Sequence, residues 1–358
     1  MLPHPGEPPA GRRRPGRDTG DPAGDARRLL AAELCTIAPP TAWSLDEVPL
    51  PAAGAGRPGH RRLALATALV HPQDSLPVNW RLLLPGGDPG PGAGEAGRPP
   101  DRTHHRPAWR YALESVDEVL DGWGLPVAPV LGDWRCGRRI EPLLGGLEER
   151  GLGYLLRADA ATPLPVGPRP DRPAGCHGRG AAHHPGTHHH PAADVSGTLR
   201  GHTERAVLPW QDGPGARPGH TQFLVAPLCA ARPGHRGHRR GSWASGLRHL
   251  LLEWPLGSPG PRSYWVTNLP AGRLPDMVTL AALRHRTGQG CERLHEDYRP
   301  GHHGGPAHGW WHHHVTRVTA ARAGRLLQRL RTASAPERRA TTTGRPGPAR
   351  SAEESAAR

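Results

Sequence analysis

The sequence predicts an α/β protein in which a mixed sheet is flanked by helices. Three apolar segments of strand length follow one another in the N-terminal third, with Pro- and Gly-rich turns between them. This pattern is typical of an antiparallel start to a sheet. A helix–strand–helix–strand alternation comes next, which is typical of parallel strands joined by crossover helices. We therefore expect the parallel strands to lie beside the first three.

The N-terminal elements are predicted to be a short helix and three strands. Residues 29–35 form the short helix, and the apolar run 43–45 is a first strand that stops at Asp46. The longer apolar runs 62–70 and 78–84 are the second and third strands, and a Pro-Gly-Gly turn closes the third.

The alternating part follows a Gly/Pro/Arg-rich loop. Apolar residues recur at three- and four-residue steps over 108–123, which predicts an amphipathic helix. The run 125–131 is a buried strand followed by Asp133, and 138–150 is a second helix with a glycine directly after it. Residues 154–157 complete the alternation as a short strand.

The rest of the chain is predicted to be a β-rich insertion followed by two helices. Residues 163–201 lack periodicity and are rich in histidine, which indicates low-complexity sequence, with metal binding as the alternative. Strand-length apolar runs return at 207–210, 222–228 and 250–254 and belong to the insertion, and 264–269 is a further strand after it. The segments 275–295 and 311–330 have helical periodicity.

These elements divide the chain into five segments. The core is expected in two parts separated by the insertion, and the tails lack the apolar residues that order requires. The predicted segments are a disordered basic tail at 1–28, the first part of the core at 29–160, the low-complexity tract and β-rich insertion at 161–262, the C-terminal helical part of the core at 263–331, and a disordered tail at 332–358.

The composition indicates a polyanionic partner. Arginine supplies all 46 basic residues against 32 acidic ones, for a formal charge of +14, and nucleic acid is the commonest partner for such a surplus. A codon composition that favours Arg, Gly and Pro is the alternative source of the charge. No apolar window of about 18 residues is present, so we expect no membrane span. Because the N-terminus has no apolar signal region and the five cysteines form no C-x-x-C pair, we expect a cytoplasmic, nucleoid-associated protein.

Two aspartates are candidate metal ligands because of where they lie. Asp46 and Asp133 both come at the ends of predicted strands, and adjacent strands would bring the two carboxylates to one edge of the sheet. Oxygen ligands of this kind suit Mg²⁺ or Mn²⁺, and such ions assist phosphodiester cleavage. The alternative is that both aspartates are turn or N-cap residues, which is common for this residue type.

Five motifs occur in the order in which they are found in one known family. They lie at 43–51 (WSLDEVPLP), at 77–85 (PVNWRLLLP), at 124–138 (GLPVAPVLGDWRCGR) with 147–156, at 252–255 with 264–270 (YWVTNLP), and at 311–316 (WHHHVT). In these segments the chain resembles the DDE transposases of bacterial insertion sequences, with the second motif similar to one actinobacterial branch. The resemblance covers residues 40–330.

The resemblance implies an RNase H-like core and Mg²⁺-dependent DNA cleavage and strand transfer at transposon ends by two Asp and one Glu. Carried onto this chain, the first two acids are Asp46 and Asp133. The family's last helix has an Arg four residues before the Glu, and Arg284 fits that position, but Gly288 stands where the glutamate belongs. Glu292, one turn or about 6 Å further along a helix, is the candidate substitute.

Other departures from the family pattern point in the same direction. His295 stands at a lysine position, Ala281 stands at a tyrosine position, and Glu296 is a second, more distant acid. The sequence therefore predicts a degenerate copy without cleavage activity, and Arg284 and Arg286 are its candidate DNA contacts. The expected partners are transposon-end DNA and a second copy of the chain in a homodimer. Two alternatives stay open, a non-catalytic basic DNA-binding protein and a poorly folded product of a decayed gene.

The remaining histidines and the tryptophans are given structural interpretations. His312, His313 and His314 are consecutive on a predicted helix and so cannot all face one metal ion. Packing or phosphate contact is their expected role. The tryptophans are expected in the core, with base stacking as the alternative.

Overall fold

The computed structural model describes residues 22–49, 63–72, 74–83, 107–134, 140–166, 188–198, 204–210, 219–230, 247–297 and 307–340. The helices are α1 (Pro22–Ile37), α2 (Ala108–Asp117), α3 (Glu141–Glu149), α4 (Ala192–Thr198), α5 (Leu274–Asp297) and α6 (Ala307–Ala340). The strands are β1 (Ala42–Pro49), β2 (Leu63–Val70), β3 (Ser75–Leu83), β4 (Val130–Asp133), β5 (Tyr154–Ala158), β6 (Pro163–Val166), β7 (His188–Pro191), β8 (Glu204–Trp210), β9 (Gly219–Ala230), β10 (Leu247–Trp254) and β11 (Ser263–Thr267).

The main sheet confirms the predicted α/β class and the mixed strand arrangement. Its order is β3-β2-β1-β4-β5-β11-β10-β9-β8. The first three strands are mutually antiparallel, and β4 and β5 lie parallel to β1 and to each other. The parallel strands therefore lie beside the first three, as expected, and the arrangement is consistent with an RNase H-like core.

The predicted insertion strands, together with the strand predicted at 264–269, extend this same sheet. β11 pairs antiparallel with β5, and β10, β9 and β8 continue the sheet outwards as antiparallel strands. The expectation that 163–201 has no regular structure is wrong for part of that range, because β6 pairs with β7 in a small second sheet and α4 follows directly. Residues 167–187 lie outside the described part of the chain.

Helices cover both faces of the sheet, and the alternation of side chains along β1 shows how. Trp43 and Leu45 lie in the large apolar cluster that contains residues of α1, α2 and α3. Ala42 belongs to the cluster formed with α5, and Val48 packs with Val315 and Val318 of α6. Since successive side chains of a strand point to opposite faces, α5 and the start of α6 lie on one face and α1–α3 on the other.

Several element ends differ from the predictions. β1 continues to Pro49, so Asp46 lies inside the strand, and β4 begins only at Val130 and includes Asp133. Residues 22–28, assigned to the basic tail, form the start of α1, and residues 332–340, assigned to the C-terminal tail, are the end of α6. Helix ends of this kind lack a local signal when the apolar stripe is short.

The end of α3 was predicted correctly from its glycine. Gly151 has a φ of 67°, the left-handed conformation that favours glycine at this position. Gly151 N donates to Glu148 O, and Leu152 N donates to Leu147 O, which satisfies carbonyl groups that the last turn of a helix leaves free. The turn brings the chain directly into β5.

Candidate active site

The register of β1 and β4 brings the two predicted aspartates together. The parallel pairing places Leu45 opposite Gly132, and the next residues along the two strands are Asp46 and Asp133. Neighbouring strands lie about 4.8 Å apart, and residues level with each other point to the same face. The two carboxylates therefore lie side by side on two central parallel strands, Asp46 inside β1 and Asp133 at the end of β4, on the face covered by α5.

Gly132 makes this close alignment possible. A Cβ atom at this position would lie 3.0 Å from Leu156 Cδ2 and 3.3 Å from the carbonyl oxygen of Leu45. These distances are tighter than ordinary van der Waals contact, so a larger residue would require the Leu156 side chain and the Leu45 backbone to shift.

Asp46 is buried and held by a hydroxyl and a guanidinium. Its side chain is 2% exposed, and Ser44 Oγ donates a hydrogen bond to Oδ2 at 2.7 Å. Arg284 Nη2 of α5 lies 2.7 Å from Oδ1. The two atoms form a close ion pair, although no N–H is aligned with that oxygen as in a regular hydrogen bond. Asp46 is thus a buried carboxylate neutralised by a buried arginine.

Asp133 is more accessible than Asp46. Its side chain is 15% exposed, and Arg157 Nη1 lies 3.8 Å from its Oδ2. Arg157 is level with Asp133 on the neighbouring strand β5, so the two side chains share a face. This second ion pair has a longer N–O distance and is more exposed to solvent than the first, so its Coulomb energy is more strongly screened.

Helix α5 brings Arg284 over the sheet on its apolar stripe. Met277, Leu280 and Ala281 are buried at three- and four-residue steps, and Arg284 is the next position of the same stripe. Its Nη1 donates to Thr287 Oγ1 at 3.2 Å, and that hydroxyl donates to the Arg284 carbonyl oxygen at 2.9 Å. Arg284 therefore faces the aspartates because its helix turns it there.

The predicted third metal ligand, Glu292, stays a prediction. Gly288 follows Arg284 by one turn of α5, where a side chain would lie on the same stripe. Glu292, Glu296 and Arg286 are also on α5, but their side chains lie outside the described part of the chain. Among the described residues, no three Asp, Glu, His or Cys side chains form a group able to hold a metal ion.

Two of the described residues nevertheless have the chemistry and position to be ligands of one divalent ion. Asp46 and Asp133 supply hard carboxylate oxygens from adjacent strands, and Mg²⁺ is often bound through one or two carboxylates with water or phosphate completing the shell. The Asp46 oxygen that faces α5 has no aligned hydrogen bond. Each of the two carboxylates also lies beside an arginine, which lowers the negative charge available to a cation.

Sequence reasoning missed two members of this site. Arg157 lies in a short apolar strand and looks like one of many arginines, and it becomes significant only once β5 is placed beside β4. Ser44 lies two residues before Asp46, so both side chains share one face of β1. An assigned strand register would have revealed both residues.

The other predicted residue groups are only partly described. Trp265 is buried, and Trp109, Trp123 and Trp254 are partly buried against the core, in line with a packing role. His189 and His190 lie exposed on β7. His188 begins β7, but its side chain, like the side chains of 312–314 and the remaining histidines of the tract, lies outside the described part.

A second charged cluster is buried on the opposite face of the sheet. Arg248 of β10 donates to Glu148 through Nε and Nη2 at 2.6 and 2.9 Å, and to Glu141 through Nη1 at 2.7 Å. Tyr154 Oη donates to Glu148 at 2.8 Å. Burial, together with the Glu148 carboxylate, raises the pKa of Tyr154 well above its ordinary value. Burial also raises the pKa of the nearby Cys229 thiol, so no reactive thiolate is expected there.

The order of the mixed nine-stranded sheet and the helices on its two faces are consistent with an RNase H-like core. A family described as DDE superfamily endonuclease matches residues 16–213, which is more than half of the chain. The chain belongs to this family, whose members typically use a divalent metal ion and act on DNA. The match contains both aspartates and ends before α5, so Arg284 and Gly288 lie outside it. No curated protein matches the chain.

None of the helices in the described part of the chain is long and apolar enough to span a membrane.

Proposed function

We propose that this protein is a transposase-like DNA-binding protein descended from an enzyme that cut and joined transposon ends, and that it has lost cleavage because Gly288 replaces the third acid. The observation that carries this proposal is the alignment of Asp46 with Asp133 under α5. It supports the assignment of the two aspartates as metal ligands, and the family match supports DNA as the substrate class. Mg²⁺, or Mn²⁺ in its place, is the proposed cofactor.

The roles of the residues follow from their positions. Asp46 and Asp133 would hold a divalent ion, which supplies charge stabilisation at a phosphodiester during cleavage. Phosphoryl transfer depends on positioning and charge more than on covalent participation by the protein. A site with two carboxylates instead of three therefore loses most of its activity, while arginines elsewhere still bind the DNA backbone.

The metal-dependent part of the proposal is tested by nicking of supercoiled DNA. The wild-type chain is expected to show no divalent-ion-dependent nicking. Gly288→Glu restores the missing carboxylate and is expected to introduce such nicking, and adding Asp133→Ala should abolish it again. A Gly288→Glu, Asp276→Ala protein is the matched control, because Asp276 lies on the same helix but pairs at the surface with Arg273. Nicking that survives Asp133→Ala would remove this aspartate from the mechanism.

Wild-type nicking that is lost in Asp133→Ala would instead indicate a working site. Glu292 is then the proposed third ligand, and Glu292→Gln should abolish the reaction. Either result keeps the nuclease ancestry and decides only whether the missing glutamate has been replaced.

The alternative function is that of a basic, non-catalytic DNA-binding protein. The arginine surplus and the missing glutamate favour it. Phosphate contacts release counterions, so the affinity for duplex DNA should fall steeply and linearly on a logarithmic scale with salt. Binding that does not weaken between low and physiological salt would contradict both proposals.

Limited proteolysis tests the poorly folded alternative, because a folded core resists digestion between residues 40 and 330. Size-exclusion chromatography with and without transposon-end DNA tests the proposed homodimer.

A further inference from the structure

Arg284 is a buried cation in direct contact with the buried carboxylate of Asp46. The exposed fractions of the two side chains are 8% and 2%, and the closest N and O atoms are 2.7 Å apart. A hydrogen bond also holds the guanidinium to Thr287, which is itself buried. The arginine is therefore enclosed against the acid and is not oriented towards solvent.

This position is unusual for a residue that sequence reasoning assigns to DNA contact. A phosphate-binding arginine presents its guanidinium to solvent, whereas here the group is used within the core. A carboxylate neutralised by a guanidinium offers less negative charge to a second cation, because like charges near one oxygen repel each other. Arg157 beside Asp133 adds a second positive charge at the same site.

We propose that Arg284 is an internal counter-ion that competes with divalent metal for Asp46. In the metal-free protein its guanidinium neutralises the buried acid, and it must leave that acid before a metal ion binds there. The inference rests on the proposed function, since it takes Asp46 and Asp133 as the metal ligands.

The competition predicts that loss of the guanidinium lowers the stability of the metal-free protein and raises its affinity for a divalent ion. Removal of the guanidinium leaves a buried carboxylate without its partner, which destabilises the metal-free fold. The same removal raises the net negative charge of the site, which strengthens binding of a divalent ion. A merely structural arginine would show the first effect without the second.

The test measures Mn²⁺ binding to the full chain, by the EPR signal of free Mn²⁺ in a titration and by the shift of Tm in millimolar MnCl₂. Arg284→Gln is expected to bind Mn²⁺ about tenfold more tightly than wild type, or better, because ligand charge governs the affinity of such sites. Its Tm should fall without metal and recover with it. Arg284→Lys keeps a positive charge and is expected to bind no more tightly than wild type.

Two comparisons isolate the effect. Asp46→Asn combined with Arg284→Gln should cancel the gain, which separates this site from Mn²⁺ bound by histidines elsewhere. Arg273→Gln removes the same charge from an exposed pair on the turn before α5 and should leave affinity unchanged. If Arg284→Gln does not fold without metal, refolding yield with and without MnCl₂ replaces the Tm, and manganese-dependent recovery is the expected result.

Equal affinities of wild type and Arg284→Gln, a gain that survives Asp46→Asn, or refolding that ignores manganese would each overturn the competition. Tight, Asp46-dependent Mn²⁺ binding by wild type would also overturn it but would leave the proposed function intact. Failure of the proposed function is seen separately, as DNA binding that does not respond to salt.

Discussion

Arg248 joins β10 to α3 through a guanidinium that is only 2% exposed. It donates two hydrogen bonds to Glu148 and one to Glu141. Substitution Arg248→Ala removes all three and leaves the carboxylate of Glu148, which is 1% exposed, without its main counter-charge. Burial raises the cost of an unpaired charge, so the effect should greatly exceed that of a surface pair.

The magnitude follows from the burial of both partners. Breaking a buried ion pair by removing one member costs about 3–5 kcal/mol, whereas an exposed pair contributes roughly 0.2–1 kcal/mol. In a domain of about 150–250 residues, 1 kcal/mol lowers Tm by about 2–4 °C. Arg248→Ala should therefore lower Tm by roughly 6–20 °C.

Circular dichroism during thermal and urea unfolding measures this loss. Arg273→Ala is the matched control, because it removes an arginine whose pair with Asp276 is exposed, and its Tm should fall by no more than about 4 °C. Adding Glu148→Gln to Arg248→Ala should recover part of the loss, since the buried negative charge is then gone. If Arg248→Ala lowers Tm no further than Arg273→Ala, the buried Arg248 pair does not attach β10 to α3.

Three further predictions concern packing, a helix end and pH. At Gly146 an added Cβ would lie 2.2 Å from Leu113 Cδ1. Gly146→Ala should therefore destabilise the fold by about 1–2 kcal/mol, although alanine has the better helix propensity. At Gly324 an added Cβ would meet nothing within 4 Å, so Gly324→Ala should stabilise the fold by up to about 1 kcal/mol. Gly151→Ala should cost about 1 kcal/mol because φ there is 67°. Burial lowers the pKa of His71 below its ordinary value of 6.5, so the unfolded chain binds a proton more readily than the folded chain. The free energy of unfolding should therefore fall as pH drops from about 7 to 5. His71→Gln should make this fall smaller. Urea unfolding measures all four variants.

Each of these predictions has a result that contradicts it. Equal effects of the two helical alanine variants would show that α3 does not pack closely on α2. A neutral alanine at Gly151 would mean that the left-handed turn is absent. An unchanged pH dependence in His71→Gln would show that this imidazole is not buried.

The sequence predicted the strand elements of the core because each one is a short apolar run between turn residues. The runs at β2 and β5 were located to within one residue at each end. The expected closeness of Asp46 and Asp133 agrees with the structure, but its cause is the parallel register of β1 and β4, because Asp46 lies inside β1 and not at its end.

Long-range pairing was not predictable in the same way. β11 pairs with β5 across more than a hundred residues, and no local pattern records which strand edge a later strand will join. Charged side chains are the harder case. Arg157, Arg248 and Arg284 are three of 46 basic residues, and only the fold shows that each is paired with an acid.

The position of β11 between β5 and β10 has a consequence for synthesis of the chain. The N-terminal half cannot complete its sheet until residue 267 has left the ribosome, and until then β5 presents a row of unpaired backbone groups. Contacts of such large sequence separation form slowly. A gene copy truncated before codon 263 would therefore yield a product with an open β5 edge, prone to aggregation and with no α5 to cover its two aspartates.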